Sequence, residues 1–253
     1  MRGVRFLIFN SLLVCGLQIR QTIQRMAKYS SKAYMSTEDA KINTLTNLPE
    51  TLGIRAFFDQ NDLIITCRGT SNISDWTTNL NCFLTKHPFK DSGRVHQGYL
   101  HDVWDVINMS EFKEIEEKIS SHKNRDILIG GHSSAGAKSV IIGHYLARSH
   151  PEKKFTVVTF GSPKTGDSKF YKNIESLRNL NIISVNFRDD VVPLLGFGTS
   201  KPDRQLDIFS DEKCYHLIKS HLMLRYEEAL IHNTELYQLF ERKEEDVLRF
   251  NIN

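Results

Sequence analysis

A serine at position 133 lies in surroundings that a nucleophilic serine requires. Asp126–Gly130 is predicted as a short apolar strand, and Ser134–Ser149 as a helix that follows without a polar linker. Ser133 lies at the join, with the small residues Gly131 and Ala135 two positions to either side. A sharp strand-to-helix turn exposes a serine hydroxyl, and bulky neighbours would collide with the strand and the helix. The pattern predicts nucleophilic catalysis by Ser133, with a tight turn of purely structural role as the alternative.

A serine hydroxyl needs a histidine base that is itself oriented by a carboxylate. With a strand-to-helix nucleophile turn, the acid and then the histidine follow the serine in the chain. Asp189 and Asp190 both follow the predicted strand Asn181–Phe187, and either could serve. Three histidines follow them: His216, His221 and His232. Two earlier histidines, His96 and His132, are expected to be packed, hydrogen-bonded structural residues.

The same turn supplies a donor for a developing negative charge. The backbone N–H of Ser134 opens the predicted helix and points towards any oxyanion formed on a substrate at Ser133. Two or more preorganised donors hold an oxyanion better than one, so a second donor is expected elsewhere in the chain.

The elements around these residues alternate between strands and helices. Ile54–Phe58 and Leu63–Cys67 are predicted as a hairpin, and Phe155–Phe160 as a further strand. Helices are predicted up to Tyr34 and in three later segments: Tyr99–Ile119, Asp167–Leu177 and Leu222–Ile231. Strands connected by crossover helices are parallel, so the pattern predicts an α/β fold with a mostly parallel central sheet flanked by helices.

Composition bounds the function without naming it. A chain of 253 residues with 40% hydrophobic residues can bury one large core, and we expect a single domain over residues 21–245 and a tail over 246–253. A net charge of +3 does not indicate a nucleic-acid partner. The four cysteines are far apart in sequence, so we expect no metal site from them.

The first twenty residues permit two interpretations. Arg2 and Arg5 precede an apolar run from Phe6 to Leu17, which is too short to span a bilayer comfortably. It suits a secretory signal, with removal of residues 1–16, or a first helix packed on the domain. Localisation is therefore left open between secreted and cytoplasmic, and no transmembrane span is expected.

Several separate segments resemble the class 3 lipases, the fungal-lipase-like family, and the resemblance extends over roughly residues 27–231. The segments occur in the family's order: CRGTSNISDWTTNL at 67–80, VHQGY at 95–99, GHSSAG at 131–136 and TFGSPKTG at 159–166. Their co-occurrence is more specific than any one of them. Ala135 departs from the glycine usual at the end of the nucleophile turn, although Gly136 follows.

The resemblance implies an α/β-hydrolase fold and a site. The family's acid precedes two apolar residues and a proline, which matches Asp190, and its histidine segment matches His221-Leu-Met-Leu-Arg-Tyr226. The segment at 67–80 resembles the family's oxyanion loop and makes Thr70 the second donor. Residues 81–93 take the place of the family's lid, with an ordinary loop packed into the core as the alternative.

The implied activity is hydrolysis of lipid esters, such as acylglycerols or phospholipids, with transient contact at a lipid surface and no cofactor. Two other hypotheses are kept. One is a catalytically inactive relative that binds lipid or a protein partner through the same cleft, and the other is an esterase for non-lipid esters.

Overall fold

The described part of the chain forms a six-stranded sheet and a separate two-stranded hairpin. The computed structural model describes residues 18–45, 53–69, 83–123, 126–187, 189–195, 205–208 and 217–232. The strands, numbered in chain order, are β1 Ile54–Asp59, β2 Asp62–Cys67, β3 Leu84–Lys86, β4 Arg94–His96, β5 Asp126–His132, β6 Lys154–Phe160, β7 Leu180–Phe187 and β8 Gln205–Ile208.

The helices lie between and after these strands. They are α1 over residues 18–32, α2 Thr37–Ala40, α3 Gln97–Ile107, α4 Ser110–Ser121, α5 Ser134–Ser149, α6 Ser168–Ser176, α7 Leu217–Ser220 and α8 Met223–His232. A short 3₁₀ turn covers Val192–Leu194.

The main sheet has the order β1-β2-β5-β6-β7-β8. Among the described strands of this sheet, β1 and β2 pair antiparallel and the other four pairings are parallel. The predicted mostly parallel sheet is therefore confirmed, as is the hairpin at its start. Gln60 and Asn61 turn that hairpin with φ of 49° and 73°, the two left-handed residues that a tight two-residue hairpin needs.

Helices cover both faces of the sheet because neighbouring strand residues point to opposite sides. Ile65 packs on the face covered by α3, α4, α5 and α6, whereas Ile64 packs on the face covered by α1 and α8. Each fully buried aliphatic side chain of this kind contributes about 1.5–3 kcal/mol. Because β5 and β7 are parallel, their carboxyl ends, which lead to Ser133 and to Asp190, lie at the same edge of the sheet.

Several predicted boundaries differ by one or two residues from those in the structure. One segment predicted as a single helix forms two helices. The segment Tyr99–Ile119 is two helices, because the Asn108 side chain donates to Trp104 O at 2.7 Å and ends α3. Met109 is then extended, with ψ of 150°, and α4 begins at the next residue. The apolar spacing continued through this break, so periodicity alone did not reveal it.

The hairpin β3–β4 and the edge strand β8 were not predicted. Of the segment 81–93 proposed as a lid, residues 83–93 are described. They include β3 and a turn that leads back into β4, and His87 within them is buried. In this stretch Phe83 is the large apolar side chain that is mostly exposed, at 68%.

Some predictions fall on residues outside the described ranges. Thr70, His216, the possible signal sequence over residues 1–16 and the tail over 246–253 are among them. Residues 18–20, the end of the ambiguous N-terminal stretch, belong to α1. None of the helices in the described ranges is long and apolar enough to cross a membrane.

Candidate active site

Ser133 lies on a strained turn between β5 and α5. Its φ of 62° and ψ of −134° are unusual for a residue with a side chain and cost about 1–3 kcal/mol. The turn is held by the backbone, since Ser133 N donates to Phe160 O at 2.9 Å. Ser134 follows as the first residue of α5 and is buried.

The small residues predicted around the turn are required by its packing. A Cβ on Gly131 would lie 2.7 Å from the carbonyl carbon of Ala135, and one on Gly136 would lie 2.7 Å from Ser162 Cβ. The methyl group of Ala135 itself is accommodated because Gly131 opposite has no side chain. The alanine in place of the usual glycine is therefore compatible with the turn.

Asp190 and His221 are bonded to each other. His221 Nδ1 donates to Asp190 Oδ2 at 2.7 Å, and both side chains are almost fully buried. Val192 N donates to Asp190 Oδ1 at 2.9 Å, so both carboxylate oxygens have partners. An imidazole whose Nδ1 donates to a carboxylate has Nε2 as its basic nitrogen, the arrangement that a general base for a serine requires.

The neighbouring acid has a different partner. Arg225 donates to Asp189 Oδ1 at 2.9 Å, and Asp189 is partly exposed. The predicted choice of Asp190 over Asp189 therefore agrees with the hydrogen bonding. His232 lies at the end of α8, eleven residues beyond His221.

His132 connects the serine turn to His221. The ring of His132 lies 4.5 Å from the ring of His221, measured between centroids, and His132 Nε2 donates to His221 O at 2.6 Å. Since His132 immediately precedes Ser133, this contact brings His221 to the serine turn. His96 is buried at the start of α3, where its Nδ1 accepts from Tyr99 N. Both are buried and hydrogen-bonded, as predicted.

Two tyrosines at the site were not predicted to have a role. Tyr226 donates to Asp190 Oδ2 at 2.7 Å and accepts from Phe187 N at 3.0 Å. Burial, together with the nearby Asp190 charge, raises the pKa of Tyr226 well above its ordinary value, so the phenol remains a donor. Tyr34, in the turn after α1, contacts His132 Nδ1 at 2.8 Å. Tyr226 was visible in sequence within the histidine segment; Tyr34 had no such signal.

Two glycines keep the site open for these contacts. Gly161 has φ of 53°, and a Cβ there would lie 2.7 Å from Asp190 Oδ2 and 3.1 Å from His221 Cε1. Gly69, two residues after the end of β2, passes so close to the serine turn that a Cβ would lie 2.8 Å from His132 O. Gly69 directly precedes Thr70, and this proximity is consistent with the expected oxyanion loop.

Within the described ranges, no group of three or more His, Cys, Asp or Glu side chains is arranged to hold a metal ion. Cys67, the cysteine in these ranges, is buried and unbonded to another cysteine, and burial raises the pKa of its thiol to about 11. It is therefore a packed residue rather than a reactive thiolate.

Comparison with known proteins finds lipases and phospholipases that are similar in sequence to this chain. A lipase of Rhizopus niveus is 26% identical over 148 residues, covering 56% of this chain and 38% of the relative. Phospholipase A1-IIbeta of Arabidopsis thaliana is 26% identical over 160 residues, covering 52% of this chain and 38% of the relative. The chain thus spans less than half the length of these two curated relatives.

The fold is shared with solved lipase structures. Lipase II from Rhizopus niveus superposes with a TM-score of 0.65 at 19% identity, covering 79% of this chain and 86% of that one. This similarity establishes the predicted α/β-hydrolase fold. The family model described as lipase (class 3) matches residues 64–199, more than half of the sequence. The chain belongs to the class 3 lipase family.

Proposed function

We propose that this protein hydrolyses carboxylic esters of lipids, with Ser133 as nucleophile, His221 as base and Asp190 as the acid that orients it. The observation that carries the proposal is the buried Asp190–His221 hydrogen bond at the same sheet edge as the strained Ser133 turn. Burial strengthens the pairing, since Ser133, Asp190 and His221 are 4%, 3% and 6% exposed.

The reaction follows from these positions. His221 Nε2 takes the proton of Ser133 Oγ as Oγ attacks the ester carbonyl carbon, and the carbonyl oxygen becomes an oxyanion. The N–H of Ser134 and a donor from Thr70 hold that oxyanion. Collapse of the intermediate breaks the ester C–O bond, and the imidazolium gives its proton to the departing alcohol. Water, deprotonated by His221, then hydrolyses the acyl-enzyme and frees Ser133.

Lipid esters are the proposed substrates because of the family and its named members. The matched relatives include a protein named a lipase and one named a phospholipase A1. The phospholipase name supports a phospholipid as well as an acylglycerol ester. Exposed apolar side chains follow both the acid and the base, at Leu194 and Leu222, and such side chains suit contact with acyl chains or a lipid surface.

Labelling with a fluorophosphonate probe, followed by mapping of the modified residue, tests the assignment. We expect Ser133 to be labelled, and Ser133→Ala to lose both the label and at least about 10³-fold in kcat on a p-nitrophenyl ester. Ser139→Ala is the matched control, because Ser139 is a buried serine of α5, the helix that follows Ser133. It should retain both the label and kcat.

Two outcomes would contradict the proposal in different ways. Folded protein in which the probe leaves Ser133 unmodified would favour an inactive, lipid-binding relative. Labelled protein that prefers short, water-soluble esters over emulsified triacylglycerol and phosphatidylcholine vesicles would be an esterase for non-lipid substrates.

A further inference from the structure

A chain of two hydrogen bonds lies behind the proposed base. Tyr34 contacts His132 Nδ1 at 2.8 Å, and His132 Nε2 contacts His221 O at 2.6 Å. Gly69 packs against the Tyr34 hydroxyl, from which a Cβ on Gly69 would lie 2.5 Å. The chain therefore joins three separate parts of the protein, namely the turn after α1, the end of β5 and the segment that carries His221.

The direction of every bond in this chain is fixed. A carbonyl oxygen only accepts, so His132 Nε2 carries the hydrogen that bonds to His221 O. His132 Nδ1 then holds a lone pair in the neutral ring and accepts from the Tyr34 hydroxyl.

Both ring systems remain neutral in this position. Burial, reinforced by the neighbouring His221, lowers the pKa of His132 well below its ordinary value. Burial raises the pKa of Tyr34. A neutral His132 matters because its ring lies 4.5 Å from the His221 ring, which becomes an imidazolium during the proposed reaction. A charged neighbour there would oppose that step.

His221 needs support from its backbone because it lies in a bend. It falls between the end of α7 at Ser220 and the start of α8 at Met223. Asp190 fixes the ring through Nδ1, and His132 fixes the main chain through the carbonyl. With both ends held, Nε2 has a defined direction. A misplacement of about 1 Å in a catalytic group can cost about 10²-fold in rate.

We propose that Tyr34 and His132 are positioning residues that hold the backbone of His221 for proton transfer. The inference rests on the proposed function, because it concerns the base of that reaction. Tyr34 bonds to His132, and His132 bonds to the His221 carbonyl, so both act through His221.

The experiment compares four variants with wild-type protein on a p-nitrophenyl ester, with kcat expressed per serine labelled by the fluorophosphonate probe. Tyr34→Phe removes one donor, and we expect kcat to fall about 5- to 10-fold with KM unchanged. His132→Leu removes both bonds, and kcat should fall about 10- to 100-fold. In His132→Gln the amide can still donate to His221 O, so kcat should return to within about 3-fold of wild type.

His144→Leu is the matched control for burial and lost hydrogen bonds. His144 is also fully buried and bonded through both ring nitrogens, to His87 and Asn173. We expect its thermal midpoint to fall while kcat per labelled site stays at the wild-type value.

The inference is overturned if His132→Leu keeps wild-type kcat per labelled site, or if His132→Gln is as slow as His132→Leu. If His132→Leu does not fold, Tyr34→Phe, which removes a single oxygen, decides alone, and wild-type kcat in it overturns the inference. Activity in Ser133→Ala would instead reject the proposed function. An inactive Ser133→Ala beside a fully active His132→Leu would reject only the positioning role.

Discussion

The carboxylate of Asp190 accepts three hydrogen bonds, one from its own turn and two from the segment that carries His221 and Tyr226. Val192 N bonds to Oδ1, while His221 Nδ1 and Tyr226 Oη both bond to Oδ2. A buried carboxylate is stable only when its oxygens are paired in this way. Tyr226 is therefore expected to contribute to both the stability of the site and the orientation of the carboxylate that His221 needs.

Tyr226→Phe tests that contribution. Because a hydrogen bond to a charged group is worth about 1.5–3 kcal/mol, we expect the free energy of unfolding to fall by about that amount and kcat to fall about 10-fold. Urea unfolding and ester hydrolysis measure the two effects. Tyr171→Phe is the control, since Tyr171 is also buried and its hydroxyl accepts from the neutral Thr165 N–H. Equal kcat in Tyr226→Phe and wild type would contradict the role.

At this scale, the sequence predicts the residues with a motif and misses those without one. Small neighbours on a strand-to-helix turn mark Ser133, whereas the choice of Asp190 over Asp189 came from the resemblance to the lipase family. Tyr34 and His132 are in contact although they are 98 residues apart in the sequence, and no local pattern encodes such a contact. Long-range partners of this kind are decided by packing, which a single sequence does not display.

The hairpin β3–β4 is held against helix α5 by a second pair of histidines, His87 and His144. His144 of α5 contacts His87 of the hairpin turn through Nδ1 at 3.3 Å and Asn173 of α6 through Nε2 at 2.7 Å. Phe89 N donates to His87 Nδ1 at 3.2 Å. Both rings must be neutral for these bonds to form together, and burial lowers the pKa of His87 to about 3 and that of His144 to about 4.

The lowered pKa values of His87 and His144 predict a loss of stability in acid. The ordinary histidine pKa of 6.5 applies in the unfolded chain, whereas the pKa of His144 in the folded protein is about 4. Between pH 6.5 and 4, His144 is therefore protonated in the unfolded state and neutral in the folded state. The free energy of unfolding should therefore fall as the pH falls through that window, by about 2–3 kcal/mol for His144.

Urea unfolding at pH 7 and pH 4.5 measures the effect. His144→Gln can still donate to Asn173 but does not titrate, so its unfolding free energy should change less between the two pH values, by about 2 kcal/mol. His101→Gln is the control, because His101 is exposed on α3 and should leave the wild-type pH dependence intact. An unchanged pH dependence in His144→Gln would remove His144 as the cause.

The elements with a clear pattern of apolar residues were predicted from the sequence. The shortest strands show no such pattern and were missed. The apolar strands β5, β6 and β7 and the helix α5 were predicted to within two residues. The edge strand β8 has four residues, and β3 and β4 have three each, too few for a pattern. The hairpin stands where a lid was proposed, and the contacts of His87 explain why its described part is packed instead.

Considered as a whole, the molecule depends on helices from both ends of the described chain. The face of the sheet opposite α5 is covered by α1 and α8, which bring Tyr34 and Tyr226 to the site. The alternation of strands and helices predicted the class of the fold. It did not predict which helices share a face, because that choice depends on crossover connections and not on local periodicity.

The substitution Met26→Ala tests whether α1 stabilises this core. Its side chain is fully buried over the sheet, and a Cβ on Gly130 of β5 would lie 2.5 Å from Met26 Cε. Met26→Ala should lower the free energy of unfolding by about 2–5 kcal/mol, because it leaves a cavity against β5. Lys28→Ala, on the exposed side of the same helix, should change it by less than about 0.5 kcal/mol. Chemical denaturation of both variants decides the matter: similar midpoints would mean that α1 packs on the domain without stabilising it.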